Sequence, residues 1–187
     1  AHESGEGALC GACLAYPPRF DRVRAAVAYG EVARKVALKL KYAGRPGVAE
    51  TLARFMSRHI EDDREAVLMP VPLHRWRIWK RGYNQSALIA RALSRRTGLR
   101  TEMDLLKRVK ATPPLRGLGR KERAETVRGA FVVPSERKAE AKGRTFVLVD
   151  DVFTTGATAG ACAKALKRAG AARVEVICWA RVTGGED

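Results

Sequence analysis

The 187-residue chain lacks several features that define whole classes of protein. Four cysteines are too few for a disulfide scaffold at this length. No apolar run reaches roughly 18 residues, which excludes a membrane-spanning helix. No secretory signal is recognisable, so we expect a cytoplasmic protein with free thiols and no membrane insertion. The chain also lacks the G-x-x-x-x-G-K-[ST] phosphate loop and any Ser–His–Asp or Cys–His nucleophile arrangement.

Acidic residues are scarce, because 20 Asp and Glu stand against 36 Lys and Arg, a formal net charge of +16. Residues 74–128 alone hold 16 basic and 4 acidic side chains, a net charge of +12, and the rest of the chain contributes +4. Arginine-rich codon usage and a solvated surface explain part of the basicity but not its clustering. Concentrated positive charge indicates an anionic partner, which could be nucleic acid, a phosphorylated small molecule or an acidic membrane surface.

Hydrophobic periodicity predicts an α/β fold with a mostly parallel sheet, because strands alternate with helices. The predicted strands cover residues 22–29, 66–71, 129–133, 145–149 and 174–180, and the predicted helices cover 31–43, 48–60, 84–97 and 158–169. A basic, aromatic loop is predicted after the second strand. Residues 107–128 have no clean period and are rich in Pro, Gly, Arg and Lys, so a long flexible loop is predicted there.

The N-terminal segment is predicted to be a separate appendage of residues 1–18, attached to an α/β domain of residues 19–187. Cys10 and Cys13 have the C-x-x-C spacing of half a zinc knuckle, whereas tetrahedral zinc takes four ligands. Because the chain starts at Ala1, we expect the other half of a zinc site to have been lost by truncation or never to have been present. The other two cysteines have apolar neighbours in a predicted helix and strand, so we expect them in the core.

The most informative segment is T-F-V-L-V-D-D-V-F-T-T-G-A-T, residues 145–158. Its apolar strand ends in Asp150 and Asp151, and ligands bind at the carboxyl ends of strands in open α/β sheets. The Thr/Gly run that follows lets backbone N–H groups approach an anion at a helix N-terminus, which predicts a phosphate cradle. Adjacent strand residues point to opposite sides, so we expect different partners for the two carboxylates. The structural alternative is that these residues form only a helix cap and a turn. Such a cap would need only one acidic residue and would not need the Thr/Gly run.

This segment resembles the phosphoribosyl-pyrophosphate (PRPP) signature of type I phosphoribosyltransferases. The wider chain, from Cys10 onward, resembles one branch of them, the competence protein F family. The similar segments are Lys41-Tyr42, Pro70-Val71-Pro72, Arg81-Gly82-Tyr83-Asn84-Gln85, Arg123 and Arg128-Gly129-Ala130-Phe131. Members of that family usually carry two C-x-x-C pairs, of which only the second is present in this chain.

The resemblance implies a parallel twisted sheet flanked by helices and assigns roles to individual residues. Asp150 and Asp151 would hold the ribose hydroxyls, directly or through Mg²⁺. The 5′-phosphate would bind at Thr154, Thr155, Gly156, Ala157 and Thr158, and the pyrophosphate at Leu73, His74, Arg75 and Arg81. The loop of residues 107–128 would act as a lid that presents Arg120, Lys121 and Arg123. The sequence departs from the family pattern at two positions in the lid, where Leu115 replaces Gln and Thr126 replaces Asn. These changes would affect closure of the lid or recognition of the acceptor.

The resemblance further implies transfer of a phosphoribosyl group from PRPP to an unidentified acceptor, expected to be a base, with Mg²⁺ assisting loss of pyrophosphate. Two alternatives stay open: a site that senses PRPP without turnover, and a single-stranded DNA binder. Residues 74–83 interleave aromatic with basic side chains, the pattern of single-strand binders, although we expect Trp76 or Trp79 to pack on the domain. Related folds are often dimers, so a homodimer is a further expectation.

Overall fold

A five-stranded parallel sheet forms the centre of the chain in the computed structural model, which describes residues 17–42, 46–60, 63–115 and 117–183. The sheet order is β1-β7-β6-β2-β3, and a separate antiparallel pair joins β4 to β5. The strands are β1 (Arg22–Ala28), β2 (Val67–Pro70), β3 (Arg100–Thr101), β4 (Lys107–Arg108), β5 (Phe131–Val132), β6 (Thr145–Phe153) and β7 (Arg173–Arg181). The predicted zinc pair, Cys10 and Cys13, lies outside the described residues.

Six α-helices flank the sheet within the described part of the chain. They are α1 (Glu31–Tyr42), α2 (Pro46–Met56), α3 (Arg75–Arg81), α4 (Gln85–Thr97), α5 (Arg120–Thr126) and α6 (Ala157–Arg168), with short 3-10 turns at Ser57–His59 and Ser135–Glu140. Helices α1, α2 and α4 cover one face of the sheet, and α6 covers the other. No helix in the described ranges is both long enough and apolar enough to cross a bilayer.

Strand β6 lies in the middle of the sheet and is buried on both faces. Phe146 and Leu148 pack toward α6, whereas Val147 and Val149 pack toward α1, α2 and α4. Burial on both faces explains why the sequence of β6 is a continuous apolar run and does not alternate between apolar and polar residues. Pairing with β7 continues as far as Phe153, so β6 extends four residues beyond the predicted end. The predicted mostly parallel α/β fold is confirmed.

Two local predictions are wrong. Both segments lack a clear hydrophobic period and were predicted as loops, but each contains a helix that is stabilised by capping interactions. The basic, aromatic segment is helix α3: the Trp76 backbone N–H donates to His74 Nδ1 at 3.4 Å, and Gly82 ends the helix with a φ of 84°. Residues 107–128, predicted as one long loop, contain both β4 and α5. Helix α5 begins after Gly119, whose N–H donates to Glu122 Oε2 at 2.8 Å.

Candidate functional site

Asp150 and Asp151 lie at the carboxyl edge of the sheet and face different neighbours. Asp150 Oδ1 accepts hydrogen bonds from Ser86 Oγ at 3.1 Å and from the Asp151 N–H at 2.9 Å. Asp151 Oδ2 lies 2.8 Å from Lys41 Nζ, and the Asp151 side chain is only 6% exposed. The strand pleat therefore separates the two carboxylates, one toward the start of α4 and the other toward the end of α1.

The charges of this group depend on one another. Burial, followed by the neighbouring charge of Asp151, raises the pKa of Asp150 above its ordinary value. Burial alone would lower the pKa of Lys41, but its interactions with Asp151, together with the charge of Asp150, outweigh that effect and raise it. Lys41 is therefore a protonated ammonium group, and its positive charge partly neutralises the acidic pair, Asp150 and Asp151.

The Thr/Gly run of residues 154–158 forms a tight loop between β6 and α6, which we call the phosphate loop after its predicted ligand. Gly156 has a φ of 78°, and a Cβ added there would lie 2.8 Å from Phe153 Cζ, so only glycine fits. The loop lines a cavity of about 30 Å³ together with Asp150 and Leu115. The first N–H groups of α6 have no partners within the helix, and the helix dipole there favours an anion. The predicted phosphate-binding residues, 154–158, are thus brought next to a carboxylate.

The residues predicted to bind pyrophosphate are only partly brought together. His74 acts as the N-cap of α3, Leu73 is half-buried, and Arg75 is exposed on the first turn of that helix. Arg81 is half-buried, donates from Nη1 to Gln85 Oε1 at 2.6 Å, and is close enough to Lys41 to oppose its charge. Of these four residues, Arg81 is thus the one placed next to the acidic pair.

Two further arginines were missed by sequence reasoning. Arg77 Nη2 donates to the Thr112 carbonyl at 2.8 Å, and Arg108 forms a hydrogen bond with the hydroxyl of the same threonine while its guanidinium lies 5.2 Å from the Phe131 ring. Burial and a neighbouring arginine lower the pKa of both guanidinium groups, Arg81 acting on Arg77 and Arg77 on Arg108. Had α3 been recognised as a helix, the i, i+4 spacing would have placed Arg77 and Arg81 on one face.

The predicted lid contacts the phosphate loop through one of its basic residues. Arg123 donates from Nη1 to Thr154 Oγ1 at 2.9 Å and from Nε to the Leu118 carbonyl at 2.6 Å. Arg120 lines the cleft on the outer side of the same loop, and Lys121 is exposed.

The two departures from the family pattern differ in their placement. Leu115 lines the cavity at the phosphate loop and packs against the core. Thr126 donates instead to the Glu122 carbonyl at 2.7 Å, within its own helix. Of these two positions, Leu115 is therefore the one that contacts the candidate site.

The donor atoms fit the Mg²⁺ that the resemblance implies. No group of three or more His, Cys, Asp or Glu side chains is arranged to hold a metal within the described residues. Mg²⁺ in phosphate chemistry, however, is usually held by one or two carboxylates, substrate phosphates and water. Asp150 and Asp151 supply such carboxylates, and Asp151 already holds a cation, the Lys41 ammonium, at 2.8 Å.

The tryptophans of α3 contradict the expectation that one of them packs on the domain. Trp76 is 61% exposed and Trp79 is 76% exposed. Their rings stack on each other instead, with centroids 5.1 Å apart and planes 8° from parallel. The helix therefore presents an aromatic pair to solvent on a basic surface.

Comparison with known proteins gives consistent similarities. The family model described as "Phosphoribosyl transferase domain" matches residues 84–187. Competence protein F of Haemophilus influenzae is 33% identical over 179 residues, covering 92% of this chain and 78% of that protein. DNA utilization protein YhgH of Escherichia coli K12 is 32% identical, covering 92% and 77%. Glutamine PRPP amidotransferase of B. subtilis aligns with a TM-score of 0.49 and 19% identity, over 75% of this chain and 30% of that one.

Proposed function

Because the chain belongs to the competence protein F branch of the phosphoribosyltransferase domain family, we propose that it transfers a phosphoribosyl group from PRPP to an acceptor base. The observation that carries the proposal is the cavity in which Asp150 meets the loop of residues 154–158. In this proposal Asp150 would bind the sugar hydroxyls, and the N–H groups of the loop and of the start of α6 would bind the phosphate.

In this reaction the bond between C1 and pyrophosphate breaks, and a nitrogen of the acceptor takes the place of the leaving group. The sugar passes through an oxocarbenium-like transition state, so no covalent nucleophile on the protein is needed. Bound Mg²⁺, held by Asp150 and Asp151, would neutralise charge on the leaving pyrophosphate. Arg81 and Arg77 would stabilise the same charge from the protein side, since positioned cations act most strongly where charge develops.

Lid closure would keep water from competing with the acceptor for the sugar. Arg123 supports this role because it already joins the lid helix α5 to the phosphate loop. Leu115 lies over the same loop and would close its apolar side.

Calorimetric titration with PRPP in Mg²⁺ tests the site. We expect Asp150→Asn and Asp151→Asn each to lower the Mg²⁺-dependent affinity by at least about tenfold, because an amide oxygen is a poor substitute for an anionic metal ligand. The exposed Asp104, whose Oδ1 is held by Lys107 at 2.8 Å, provides the matched control Asp104→Asn, which should bind as the wild type does. Wild-type affinity in both site variants would refute the assignment.

Turnover distinguishes a transferase from a PRPP sensor on the same fold. Purified protein would be incubated with PRPP, Mg²⁺ and a panel of bases, and released pyrophosphate would be measured for each. Base-dependent release, lost in Asp150→Asn, supports transfer. Tight Mg²⁺-dependent binding without release for any base would instead identify a sensor.

The exposed tryptophan pair favours a second candidate function, binding of single-stranded DNA. The outer faces of Trp76 and Trp79 are open to bases, and Arg75 and Lys80 on the same helix are exposed for phosphates. The names of similar proteins, "Competence protein F" and "DNA utilization protein", describe those proteins and are compatible with this use.

Titration of a dye-labelled oligothymidine, followed by the fluorescence anisotropy of the dye, tests this second function. Replacing both Trp76 and Trp79 by alanine removes two stacking faces and should weaken binding by at least about 30-fold, given about 1–3 kcal/mol per stacked base. Ile78→Ala, which removes a neighbouring exposed apolar side chain, is the matched control. Affinity should also fall steeply with salt, and an affinity that is insensitive to both salt and the tryptophans would exclude the function.

A further inference from the structure

Lys41 is held at the acidic pair by the fold around it. It lies in the last turn of α1, and the end of that helix is fixed by a hydrogen bond from the Tyr83 hydroxyl to the Leu40 carbonyl at 2.6 Å. Its side chain is only 27% exposed, and Nζ reaches Asp151 Oδ2 at 2.8 Å. The contact joins the first helix of the domain to the far end of β6, 110 positions later in the chain.

A buried carboxylate such as Asp151 needs a positive partner, because an unpaired charge away from water is strongly unfavourable. The structure provides that partner in the Lys41 ammonium. A metal ion bound by the same oxygen would stand within a few ångströms of the ammonium, and two positive charges at that distance repel each other. Lys41 and a divalent cation are therefore competitors for Asp151.

The two competitors differ in how easily they move. Lysine carries its charge on a flexible four-carbon stem, so Nζ can leave the carboxylate without any movement of the α1 backbone. A phosphorylated substrate brings both a metal ion and new negative charge. The displaced ammonium then has an anionic partner beside it, on the same substrate that displaced it.

We infer that Lys41 is an exchangeable counterion, which neutralises Asp151 while the site is empty and moves to the pyrophosphate group when the magnesium complex of PRPP binds. The inference rests on the proposed function, since it names how this chain prepares that site. In this role Lys41 positions and balances charge. It suppresses the binding of bare metal ions and favours the binding of metal together with substrate.

Opposite effects on two probes test this role in the full chain. Bare Mn²⁺ would be titrated by the paramagnetic resonance signal of free Mn²⁺, and magnesium pyrophosphate by calorimetry. Lys41→Met should bind Mn²⁺ at least about tenfold more tightly, because its competitor is gone, and magnesium pyrophosphate at least about tenfold more weakly. Lys39→Met, at an exposed lysine of the same helix, should match the wild type on both probes, and Lys41→Arg should stay close to it.

The outcomes separate this inference from the proposed function. If Lys41→Met leaves both affinities unchanged or weakens both, the exchange is refuted, even where the wild type binds PRPP normally. If the wild type does not bind PRPP but Lys41→Met still tightens Mn²⁺, the counterion role stands and the proposed function fails. A general loss of structure cannot produce changes of opposite sign.

Labelling of the wild-type protein covers the case in which Lys41→Met fails to fold. Acetic anhydride acylates lysine amines that are accessible and unprotonated, so an ion pair protects a lysine, and mass spectrometry reports each one. Acetylation of Lys41 should rise several-fold with Mn²⁺ alone and fall again with magnesium pyrophosphate. Unchanged labelling of Lys41 under all three conditions would overturn the inference.

Discussion

Arg123 Nη1 lies 2.9 Å from Thr154 Oγ1, so a hydrogen bond joins the lid helix α5 to the phosphate loop. The hydroxyl that accepts this bond belongs to the loop predicted to bind the 5′-phosphate. A phosphate in that loop would offer Arg123 a charged acceptor in place of a neutral one, and such bonds are roughly twice as strong. Ligand binding should therefore tighten a contact that already exists.

Removing that contact should loosen the lid without unfolding the domain. Arg123→Ala removes this hydrogen bond and the one to the Leu118 carbonyl, and at about 0.5–1.5 kcal/mol each the loss should raise local opening of residues 118–128 by roughly 5- to 150-fold. Hydrogen–deuterium exchange resolved by peptide measures this opening. Lys121→Ala, at an exposed residue of the same helix, should leave exchange unchanged. Equal exchange in the two variants would show that the contact does not hold the lid.

Two glycines near the phosphate loop should respond oppositely to alanine. At Gly156 the added Cβ would meet Phe153 Cζ at 2.8 Å with φ at 78°, so Gly156→Ala should lower the free energy of unfolding by roughly 1–3 kcal/mol. Gly160 lies inside α6 with nothing within 4 Å of an added Cβ, so Gly160→Ala should raise it by about 0.5–1 kcal/mol. Urea unfolding of both variants measures the difference, and destabilisation at both positions would contradict this account.

The parts of the site that are continuous in sequence could be predicted, and those that depend on tertiary contacts could not. The strand, carboxylates, loop and helix of residues 145–168 follow one another, so their order alone indicated the cradle. Lys41 belongs to a segment that the resemblance includes, but its contact with Asp151 depends on the packing of α1, and the influence of Asp150 on the pKa of Arg108 depends on the β4–β5 pair. The order of residues along the chain predicts neither of these tertiary relationships. The tryptophan prediction failed because it allowed for packing on the domain but not for Trp76 stacking on Trp79.

The raised pKa of Asp150 makes stability depend on pH in a definite direction. Burial is the main cause, and the charge of Asp151 adds to it, so the folded protein holds this proton more tightly than the unfolded chain does. Ligand-free stability should therefore fall as pH rises from the ordinary value of 3.8 through the raised one. Asp150→Asn keeps an oxygen for the Ser86 hydroxyl and should flatten this slope in denaturant titrations. An equally steep slope in the variant would assign the dependence to another group.

The two core thiols should be inert in the native protein, although free cysteines are usually reactive. Both side chains are buried, which raises the pKa of Cys162 well above its ordinary value and that of Cys178 to about 12. At about pH 8 the thiolate fraction of Cys178 is then on the order of 10⁻⁴, and the thiolate is the reactive form. In a variant with Cys10 and Cys13 changed to serine, Ellman's reagent should give almost no native signal and two thiols per chain in denaturant. Rapid native labelling would instead show that the packing around these two thiols opens readily in the native protein.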